Sequence, residues 1–306
     1  MQRKNILALV ILLLAGCFLF PLMVFRKTSF EGKTNHCIRL PVRFFPFVDE
    51  PLIKIEIEQK QYTMSIDTGS AHPLDLHKRV LDQIQNKKFI NTARYIDMLG
   101  RGYPVSQFLI PEINFHRHLR LNEIDVSEEN VDFLIKTTHG GNPKSLFRRI
   151  KEQIEFRLID GRIGWPIFKT ATSLFDFHHG ELFLAENLAI LQEEGLFHSE
   201  EFIKIPLELC KWGFVFSAQT ELGERKFLLD TGTSHSIYRE MNEQLRDPIV
   251  LTMDVSGQRL GRFEFIPFPL SPDHCEFDGI LGIDFFKSHK ICCDFEGKAL
   301  YIRKAS

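Results

Sequence analysis

Two copies of one short motif constrain the fold of this chain more than any other feature of its sequence. Residues 64–70 read MSIDTGS and residues 227–233 read FLLDTGT, so the two aspartates are offset by 163 residues (230 − 67). Each copy places an Asp-Thr-Gly triplet directly after an apolar run. One such triplet arises easily by chance, but a second copy in equivalent surroundings indicates an internal duplication.

A second pair of blocks follows in the same order. Residues 160–164 (DGRIG) match residues 278–282 (DGILG) at an offset of 118 (278 − 160). The same offset pairs Phe168 with Phe286 and Asp176 with Asp294. A weaker third match, at an offset of 157 (254 − 97), pairs Asp97, Gly100 and Phe108 with Asp254, Gly257 and Phe265. The sequence therefore predicts two homologous halves.

Apolar and polar residues alternate on both sides of a polar turn before each triplet. Residues 52–57 and 62–66 do so in the first half, and residues 214–220 and 226–229 in the second. Such alternation is typical of half-buried strands joined as a hairpin. The chain is therefore predicted to be mainly β.

After each triplet the apolar spacing changes to i, i+4, i+8, which predicts a short helix with one apolar face. The residues are Leu76, Val80 and Ile84 in the first half and Ile237, Met241 and Leu245 in the second. Another helix is predicted to begin at Asn142-Pro143, in a segment that only the first half contains. We expect a linker over residues 186–201, where the strand pattern is lost.

The N-terminal segment predicts a membrane attachment. Residues 6–25 contain no charged side chain, and about 20 apolar residues suffice to cross a bilayer as a helix. Residues 14–17 (LAGC) resemble the lipobox of bacterial lipoproteins, in which Cys17 would be lipidated, although residues 18–25 stay apolar. Three alternatives remain open: an uncleaved signal anchor, a lipoprotein and a cleaved signal. All three place the rest of the chain outside the cytoplasm.

Composition and spacing argue against several classes of function. With 38 basic and 40 acidic residues the chain has a formal net charge of −2. It lacks the surplus of basic residues that is typical of nucleic-acid-binding proteins, so no nucleic-acid partner is predicted. The six cysteines form no CxxC pair and no HExxH motif occurs, so neither a metal nor another cofactor is predicted. Cys292 and Cys293 are expected on opposite faces of one strand. The absence of an Asn-x-Ser/Thr sequon favours a bacterial source.

With these motifs the sequence resembles the aspartic proteases, both the retroviral-type enzymes with their bacterial retropepsin-like relatives and the bilobal pepsin family. The two Asp-Thr-Gly motifs stand where that family has its catalytic loops, and residues 280–282 (ILG) match the element that threads behind such a loop. The resemblance covers the chain from about residue 50 onward, apart from the first-half insertion. It implies a bilobal acid-protease fold of two homologous β-barrel-like lobes with short helices, after an N-terminal membrane segment.

The resemblance also implies roles for individual residues. The catalytic pair would be Asp67 and Asp230. Support for the catalytic loops would come from Thr68, Gly69, Ser70, Thr231, Gly232 and Thr233. In particular, the two threonines would cross-link the loops, Ser70 and Thr233 would hydrogen-bond the outer carboxylate oxygens, and the glycines would permit a tight loop. Hairpins at residues 98–103 and 255–258 would be flaps over the substrate, with Gly100, Tyr103 and Gly257 as candidate substrate-binding residues.

The chemistry of such a pair follows from electrostatics. Two carboxylates within hydrogen-bond distance do not both ionise readily, so the pair holds one proton between them. The carboxylate form accepts a proton from a bound water, and the acid form hydrogen-bonds the scissile carbonyl oxygen. Water is then the nucleophile, and the two apparent pKa values belong to the pair rather than to either residue.

Several residues need a separate interpretation. Arg162 stands where the family pattern has an apolar residue, a departure that concerns the geometry of the first lobe. Asp160 and Asp278 occupy equivalent turn positions and are expected to be structural, as are Asp176 and Asp294. His72 and His235 lie five residues after each aspartate (72 − 67 and 235 − 230), where they would line subsites without a catalytic role.

The sequence thus predicts a membrane-tethered aspartic endopeptidase, active as a monomer, although a homodimer is not excluded. We expect a signal anchor at residues 1–29, an N-terminal protease lobe at 30–188 and a C-terminal lobe at 189–306. The substrate would be a peptide or protein, and the catalytic part would lie in the periplasm or cell envelope of a bacterium. The alternative is a catalytically silent retropepsin-like module that binds peptides or serves as a scaffold.

Overall fold

The computed structural model describes residues 37–45, 48–115, 119–129, 158–240 and 247–304. The apolar run at residues 6–25, the helix expected at Asn142-Pro143, and Met241 and Leu245 lie outside these ranges. Within them, no helix combines the length and the apolar character that crossing a bilayer requires.

Strands dominate the described part of the chain. In the first half they are β1 (Cys37–Pro41), β2 (Arg43–Phe45), β3 (Val48–Ile57), β4 (Lys60–Asp67), β5 (Leu74–His77), β6 (Lys88–Ile96), β7 (Gly102–Phe115), β8 (Leu119–Glu129), β9 (Gly161–Gly164), β10 (Thr172–Asp176) and β11 (Glu181–Ala185). In the second half they are β12 (Ile203–Pro206), β13 (Glu208–Cys210), β14 (Gly213–Thr220), β15 (Gly223–Leu229), β16 (Ile237–Arg239), β17 (Ile249–Val255), β18 (Gln258–Phe268), β19 (Gly279–Leu281), β20 (His289–Asp294) and β21 (Ala299–Lys304). The helices are α1 (Lys78–Leu81), α2 (Trp165–Phe168), α3 (Leu188–Glu193) and α4 (Ile283–Ser288), with a 3-10 turn at Ser199–Glu201.

Two of the three sheets repeat one topology. The eight-stranded sheet has the order β2-β3-β4-β9-β5-β8-β7-β6, and the seven-stranded sheet has the order β13-β14-β15-β19-β16-β18-β17. Each curls back on itself through an extra pairing, β3 with β7 and β14 with β17. The first six shared positions therefore correspond strand by strand as β2 with β13, β3 with β14, β4 with β15, β9 with β19, β5 with β16 and β8 with β18, and β7 corresponds to β17. Among the described residues of the second half, no strand corresponds to β6.

The hairpins that lead to the two triplets are built as the alternation predicted. Strands β3 and β4 pair from Ile57 with Lys60 back to Leu52 with Ser65, and Glu58 and Gln59 form the turn with positive φ. In the second half Gly223, at φ 90°, provides the equivalent turn between β14 and β15. The inward residues of these strands fill the core, which explains why the register is fixed.

The helix predicted after each triplet is wrong at its beginning. Leu76 lies in strand β5, and only Lys78–Leu81 are helical. In the second half Ile237 lies in strand β16. Each of these short strands lies beside the strand that follows the turn aspartate, β5 beside β9 and β16 beside β19. The sheet contacts override the helical spacing because these backbone groups are buried and need partners.

The turn aspartates have matching structural roles, as expected. The Asp160 carboxylate accepts a hydrogen bond from the Thr63 N–H at 2.8 Å, and the Asp278 carboxylate accepts one from the Lys226 N–H at 2.9 Å. Their own N–H groups donate to the carbonyls of the same two residues, both at 2.7 Å. Each aspartate thus fixes the strand that passes beside a triplet-bearing strand.

The six-stranded sheet joins the two halves. Its order is β1-β11-β10-β20-β21-β12, so three strands come from each half. At its centre β10 and β20 pair antiparallel with Leu174 opposite Cys292, two residues that are themselves related by the 118-residue offset. The register is therefore symmetric about that pair. Cys292 and Cys293, both fully buried, belong to different apolar clusters, which confirms that they face opposite sides of the sheet.

The segment expected to be a linker is ordered structure. Asn187 caps helix α3 by accepting a hydrogen bond from the Ile190 N–H at 3.2 Å. Leu191 of this helix and Phe197 pack on the outer face of the six-stranded sheet with Leu174 and Tyr301. Acidic composition therefore marked a surface-exposed helix rather than an unstructured connection.

Two leucine-to-alanine substitutions test how the six-stranded sheet contributes to stability. Leu184 in β11 is 1% exposed, and Leu222 in the β14–β15 turn is 48% exposed. Leu184→Ala is expected to lower the free energy of unfolding by about 2–5 kcal/mol because it leaves a cavity, whereas Leu222→Ala should change it by less than about 0.5 kcal/mol. Urea denaturation measures both values. Equal effects from the two variants would contradict this placement of the core.

Candidate functional site

The two predicted aspartates meet where the two curled sheets adjoin. Asp67 ends strand β4, which runs parallel to β9, and Asp230 follows strand β15, which runs parallel to β19. The Asp230 N–H donates to the Leu281 carbonyl at 3.0 Å, so the strand behind the loop holds the aspartate in place. Asp67 is 8% exposed and Asp230 is 5% exposed, and both line one cavity.

The glycines of the triplets make room for the opposite carboxylate. A Cβ atom at Gly69 would overlap the carboxyl group of Asp230, and one at Gly232 would overlap that of Asp67. Neither glycine has a positive φ, so a left-handed backbone is not what requires glycine at these positions. Space is the constraint. Each glycine N–H also donates to the carboxylate that precedes it, at 3.1 Å to Asp67 and 2.8 Å to Asp230.

Thr68 and Thr231 join the two loops through four buried hydrogen bonds. The Thr68 N–H donates to the Thr231 hydroxyl at 3.1 Å, and the Thr231 N–H donates to the Thr68 hydroxyl at 3.0 Å. The hydroxyls then donate across the interface, from Thr68 to the Leu229 carbonyl at 2.9 Å and from Thr231 to the Ile66 carbonyl at 2.7 Å. Every bond crosses from one half to the other, so this set fixes the separation of the aspartates.

The outer oxygens of the two carboxylates have different partners. The Thr233 hydroxyl donates to Asp230 Oδ2 at 2.9 Å, as the resemblance implied. The Ser70 hydroxyl does not reach Asp67. It donates to Asp75 Oδ2 at 2.9 Å, and the other oxygen of Asp75 lies 2.9 Å from His72 Nδ1. The expected role of Ser70 is therefore wrong, because a nearby charged acceptor competes for its proton.

Arg162 lies against the outer oxygen of Asp67 instead. Its Nη1 is 3.4 Å from Asp67 Oδ2, and its Nε is 3.1 Å from Glu129 Oε1. His77 Nε2 lies 2.8 Å from the other oxygen of Glu129. The sequence marked Arg162 as a departure but missed Glu129, Asp75 and His77. Glu129 is the last residue of β8, the strand that pairs with β5. Its place at the site depends on that pairing, which the sequence does not show.

The electrostatics of the pair agree with a shared proton. Burial and the neighbouring Asp230 carboxyl raise the pKa of Asp67 well above its usual value, and the Arg162 guanidinium opposes this rise. Burial also acts to raise the pKa of Glu129, but Arg162 and His77 overcome that effect and the pKa is lowered. These shifts favour the carboxylate form of Glu129 and the protonated form of Asp67.

The β6–β7 hairpin covers a cavity of about 250 Å³ above the aspartates. Tyr95, Met98 and Tyr103 of the hairpin line it, together with Trp212 from the second half. Tyr95 contacts Tyr103 at 5.3 Å and Trp212 at 6.2 Å between ring centroids. At the tip, Gly100 has φ 80°. Tyr103 thus lies beside the pair, as expected of a flap residue.

The tip of the hairpin is attached to the second half. The Met98 carbonyl accepts a hydrogen bond from the Ser271 N–H at 3.1 Å, and the Met98 side chain packs against the apolar cluster that contains Leu270 and Phe277. A peptide that entered between hairpin and aspartates would have to displace these contacts.

The second predicted flap lies elsewhere. Gly257 forms the β17–β18 turn with Ser256, and the Ser256 hydroxyl donates to the Lys204 carbonyl on the six-stranded sheet at 3.2 Å. Gly257 lines a different cavity, which contains neither aspartate. By strand order β17–β18 corresponds to β7–β8. The cavity-covering hairpin depends on β6, which has no equivalent among the described strands of the second half. The weak third sequence match therefore aligned hairpins that are not equivalent.

The two histidines after the triplets differ. His72 lines the cavity and contacts Tyr95 at 5.0 Å between ring centroids, whereas His235 is exposed. In the part of the chain that the structure describes, no three His, Cys, Asp or Glu side chains are arranged to hold a metal ion.

Comparison with solved structures identifies the fold. Basic 7S globulin from soybean superposes with a TM-score of 0.56 at 10% sequence identity, over 89% of this chain and 96% of that protein. The aspartic proteinase from Irpex lacteus superposes with a TM-score of 0.54 at 11% identity, over 88% of this chain and 98% of that enzyme. No family defined by sequence and no curated protein matches the chain. At these identities the likeness shows the fold alone: a mainly β, pepsin-like aspartic proteinase fold.

Substitution of Thr231 tests the link between the loops. Thr231→Val keeps the shape but removes a hydroxyl that accepts from Thr68 and donates to Ile66. Because both partners are buried, the free energy of unfolding should fall by about 2–4 kcal/mol. Thr231→Ser keeps the hydroxyl and should lose only about 1 kcal/mol. Urea denaturation of both variants gives the comparison, and a valine variant as stable as the serine variant would contradict the role of these bonds.

Proposed function

We propose that this protein is an aspartic endopeptidase that hydrolyses peptide bonds with a water activated by Asp67 and Asp230. One observation supports this proposal above all others. Two buried carboxyl groups, supplied by equivalent loops of the two halves, line one cavity, and each lies against the glycine of the other loop. Two acids buried side by side destabilise a fold when both are charged. Their presence here therefore calls for a reason other than stability.

The reaction follows from the shared proton. The ionised member of the pair accepts a proton from a water between the carboxylates, and the resulting hydroxide attacks the scissile carbonyl carbon. The protonated member donates to the carbonyl oxygen and stabilises the negative charge that develops on it. The proton taken from water then passes to the leaving nitrogen as the C–N bond breaks, and the proton given to the carbonyl oxygen returns to the pair, which leaves a carboxylic acid and an amine. No covalent intermediate with the protein forms.

The surroundings of the pair favour a peptide as the substrate. An extended chain between the aspartates and the β6–β7 hairpin would meet aromatic side chains from both halves, Tyr95 and Tyr103 on one side and Trp212 on the other. The hairpin would exclude bulk water once it closes over the substrate, which strengthens hydrogen bonds in the site. The narrower assignment to the retropepsin-like proteases stays a prediction from the sequence.

We further propose that the chain acts as a monomer, because one chain supplies both of the aspartates that line the cavity. A division into lobes at residues 30–188 and 189–306 accords with the two curled sheets, each of which draws its strands from one half. Helix α3 begins at the proposed boundary.

Neutralising one aspartate tests the activity. Asp230→Asn is expected to reduce peptide cleavage by more than about 100-fold, because an amide cannot exchange the proton that general acid–base catalysis needs. The free energy of unfolding should not fall. Asp247→Asn, which neutralises an exposed aspartate of the same half, is the control and should cleave normally. The measurement is mass spectrometry of a diverse peptide pool incubated with each full-length protein.

A pepstatin-type inhibitor separates enzyme from silent module. Cleavage by the wild-type chain that the inhibitor blocks supports the proposal. Undiminished cleavage by Asp230→Asn would reject it. Failure of the wild-type chain to cleave any peptide at acid or neutral pH would instead favour a module that keeps the fold for binding.

We also propose that residues 1–29 tether the protein to a membrane, with the two sheets outside the cytoplasm. Expressed in bacterial cells, the full-length chain should sediment with membranes and resist carbonate extraction, whereas a chain lacking residues 1–29 should be soluble. Cys17→Ala distinguishes the forms of attachment, since it would leave a helical anchor intact but release a lipoprotein. Recovery of the full-length chain in the soluble fraction would contradict the proposal.

A further inference from the structure

The two carboxylates of the pair are held by chemically different groups. At Asp230 the outer oxygen accepts from the neutral Thr233 hydroxyl at 2.9 Å. At Asp67 the outer oxygen faces the Arg162 guanidinium at 3.4 Å, and the serine of the equivalent loop position points away. A distance of 3.4 Å is long for a hydrogen bond but short for a charge interaction, so the contribution of Arg162 is mainly electrostatic.

Equivalent positions in the two halves show how this difference arose. The His77 N–H donates to the Asp160 carbonyl, and the Arg239 N–H donates to the Asp278 carbonyl, which aligns the short strands β5 and β16. In this alignment Asp75 pairs across the sheet with Arg162, and Ile237 pairs with Ile280. An apolar pair in one half therefore corresponds to an acid and a base in the other.

A third position changes with them. His77 pairs with Glu129 in β8, and Arg239 pairs with Phe268 in β18. Glu129 thus replaces a phenylalanine. Three coordinated differences, all within one layer beside Asp67, supply a cation for its outer oxygen and two carboxylates to keep that cation in place.

The position of Arg162 is determined on both sides. The Glu129 side chain is only 7% exposed and lies 3.1 Å from Arg162 Nε, with His77 on its other oxygen. Asp75, the cross-strand neighbour of Arg162, is held by Ser70 and His72. Arg162 itself is 32% exposed and lines the cavity. Glu129 and Asp67 raise the pKa of the Arg162 guanidinium and outweigh the opposing effect of burial, so the guanidinium keeps its charge in this position.

We infer that Arg162 is a positioning residue that replaces the first-half hydroxyl at Asp67, so that the pair keeps its single negative charge at lower pH than a pair held by two hydroxyls. A fixed cation at one outer oxygen favours the anionic form of the pair, whereas a hydroxyl favours it less strongly. The first ionisation and the second ionisation of the pair would both occur at lower pH. The meaning of this shift for catalysis rests on the proposed function, in which the singly ionised form is the active one.

Several other charges act on the same carboxylate. Asp230 from the second half and Glu50 from β3 raise the pKa of Asp67, in the direction opposite to Arg162. Glu129 from β8 and Asp75 from β5 act on Arg162, and Tyr95 and Tyr103 of the hairpin stay neutral because burial raises the pKa of each. Among the described residues, Arg162 is the basic side chain that lies against the Asp67 carboxyl group. Its removal therefore shifts both ionisations of the pair to higher pH.

The test is a carboxyl ¹³C NMR titration of the full-length chain labelled at aspartate, with resonances assigned from Asp67→Asn and Asp230→Asn. In Arg162→Gln both apparent pKa values of the pair should rise by about 1 pH unit or more. Arg162→Lys keeps the charge and should recover at least half of that difference. Arg39→Gln removes an exposed arginine of the six-stranded sheet and should leave both values unchanged.

If Arg162→Gln fails to fold because the buried Glu129 loses its partner, the double variant Arg162→Gln/Glu129→Gln removes both charges of that ion pair. It should show the same upward direction, since Arg162 lies between Glu129 and Asp67. Values within about 0.3 pH unit of wild type in the folded variant, or a downward shift, would overturn the inference. The titration needs no turnover, so a chain that cleaves nothing would reject the proposed function while leaving this inference to be decided by the pKa values.

Discussion

The reciprocal hydrogen bonds between Thr68 and Thr231 are the interaction on which the rest of this structure depends. They join two loops that would otherwise separate, because each loop carries a buried carboxylate that repels the other when both ionise. The sheets on either side, the strands behind the loops and the glycines all support this meeting. Gly69 and Gly232 lack side chains because the opposite carboxylate occupies that space.

Duplication explains the frame, and later divergence explains the site. The two curled sheets repeat one strand order, and even the carboxylates that fix the turns at Asp160 and Asp278 make the same bonds. The layer next to Asp67 departs from this symmetry, with charged residues where the second half is apolar. The partly buried cation next to Asp67 is balanced by the carboxyl groups of Glu129 and Asp75, which lie beside it.

The single cavity-covering hairpin is the second departure from symmetry. Strand β6 exists in the first half alone among the described elements, and it carries Tyr95 into contact with Trp212 of the second half. The hairpin therefore closes over the aspartates from one side and is bonded to the other half through Met98 and Ser271. One hairpin therefore covers the cavity, and its tip is fixed to the opposite half.

The sequence by itself determined the duplication, the strands before each triplet and the pairing of the two aspartates, because these depend on short motifs and on alternation with a period of two. Local spacing failed at Leu76 and Ile237, since cross-strand partners far away in the chain decide whether such residues are helical. Only the tertiary structure decided what surrounds Asp67. Ser70 is in the expected position, yet Asp75 accepts its hydrogen bond, and Arg162 and Glu129 approach from strands that no local pattern places side by side. Contacts between strands distant in sequence set the charge around a site, and those contacts exist only once the sheet has closed.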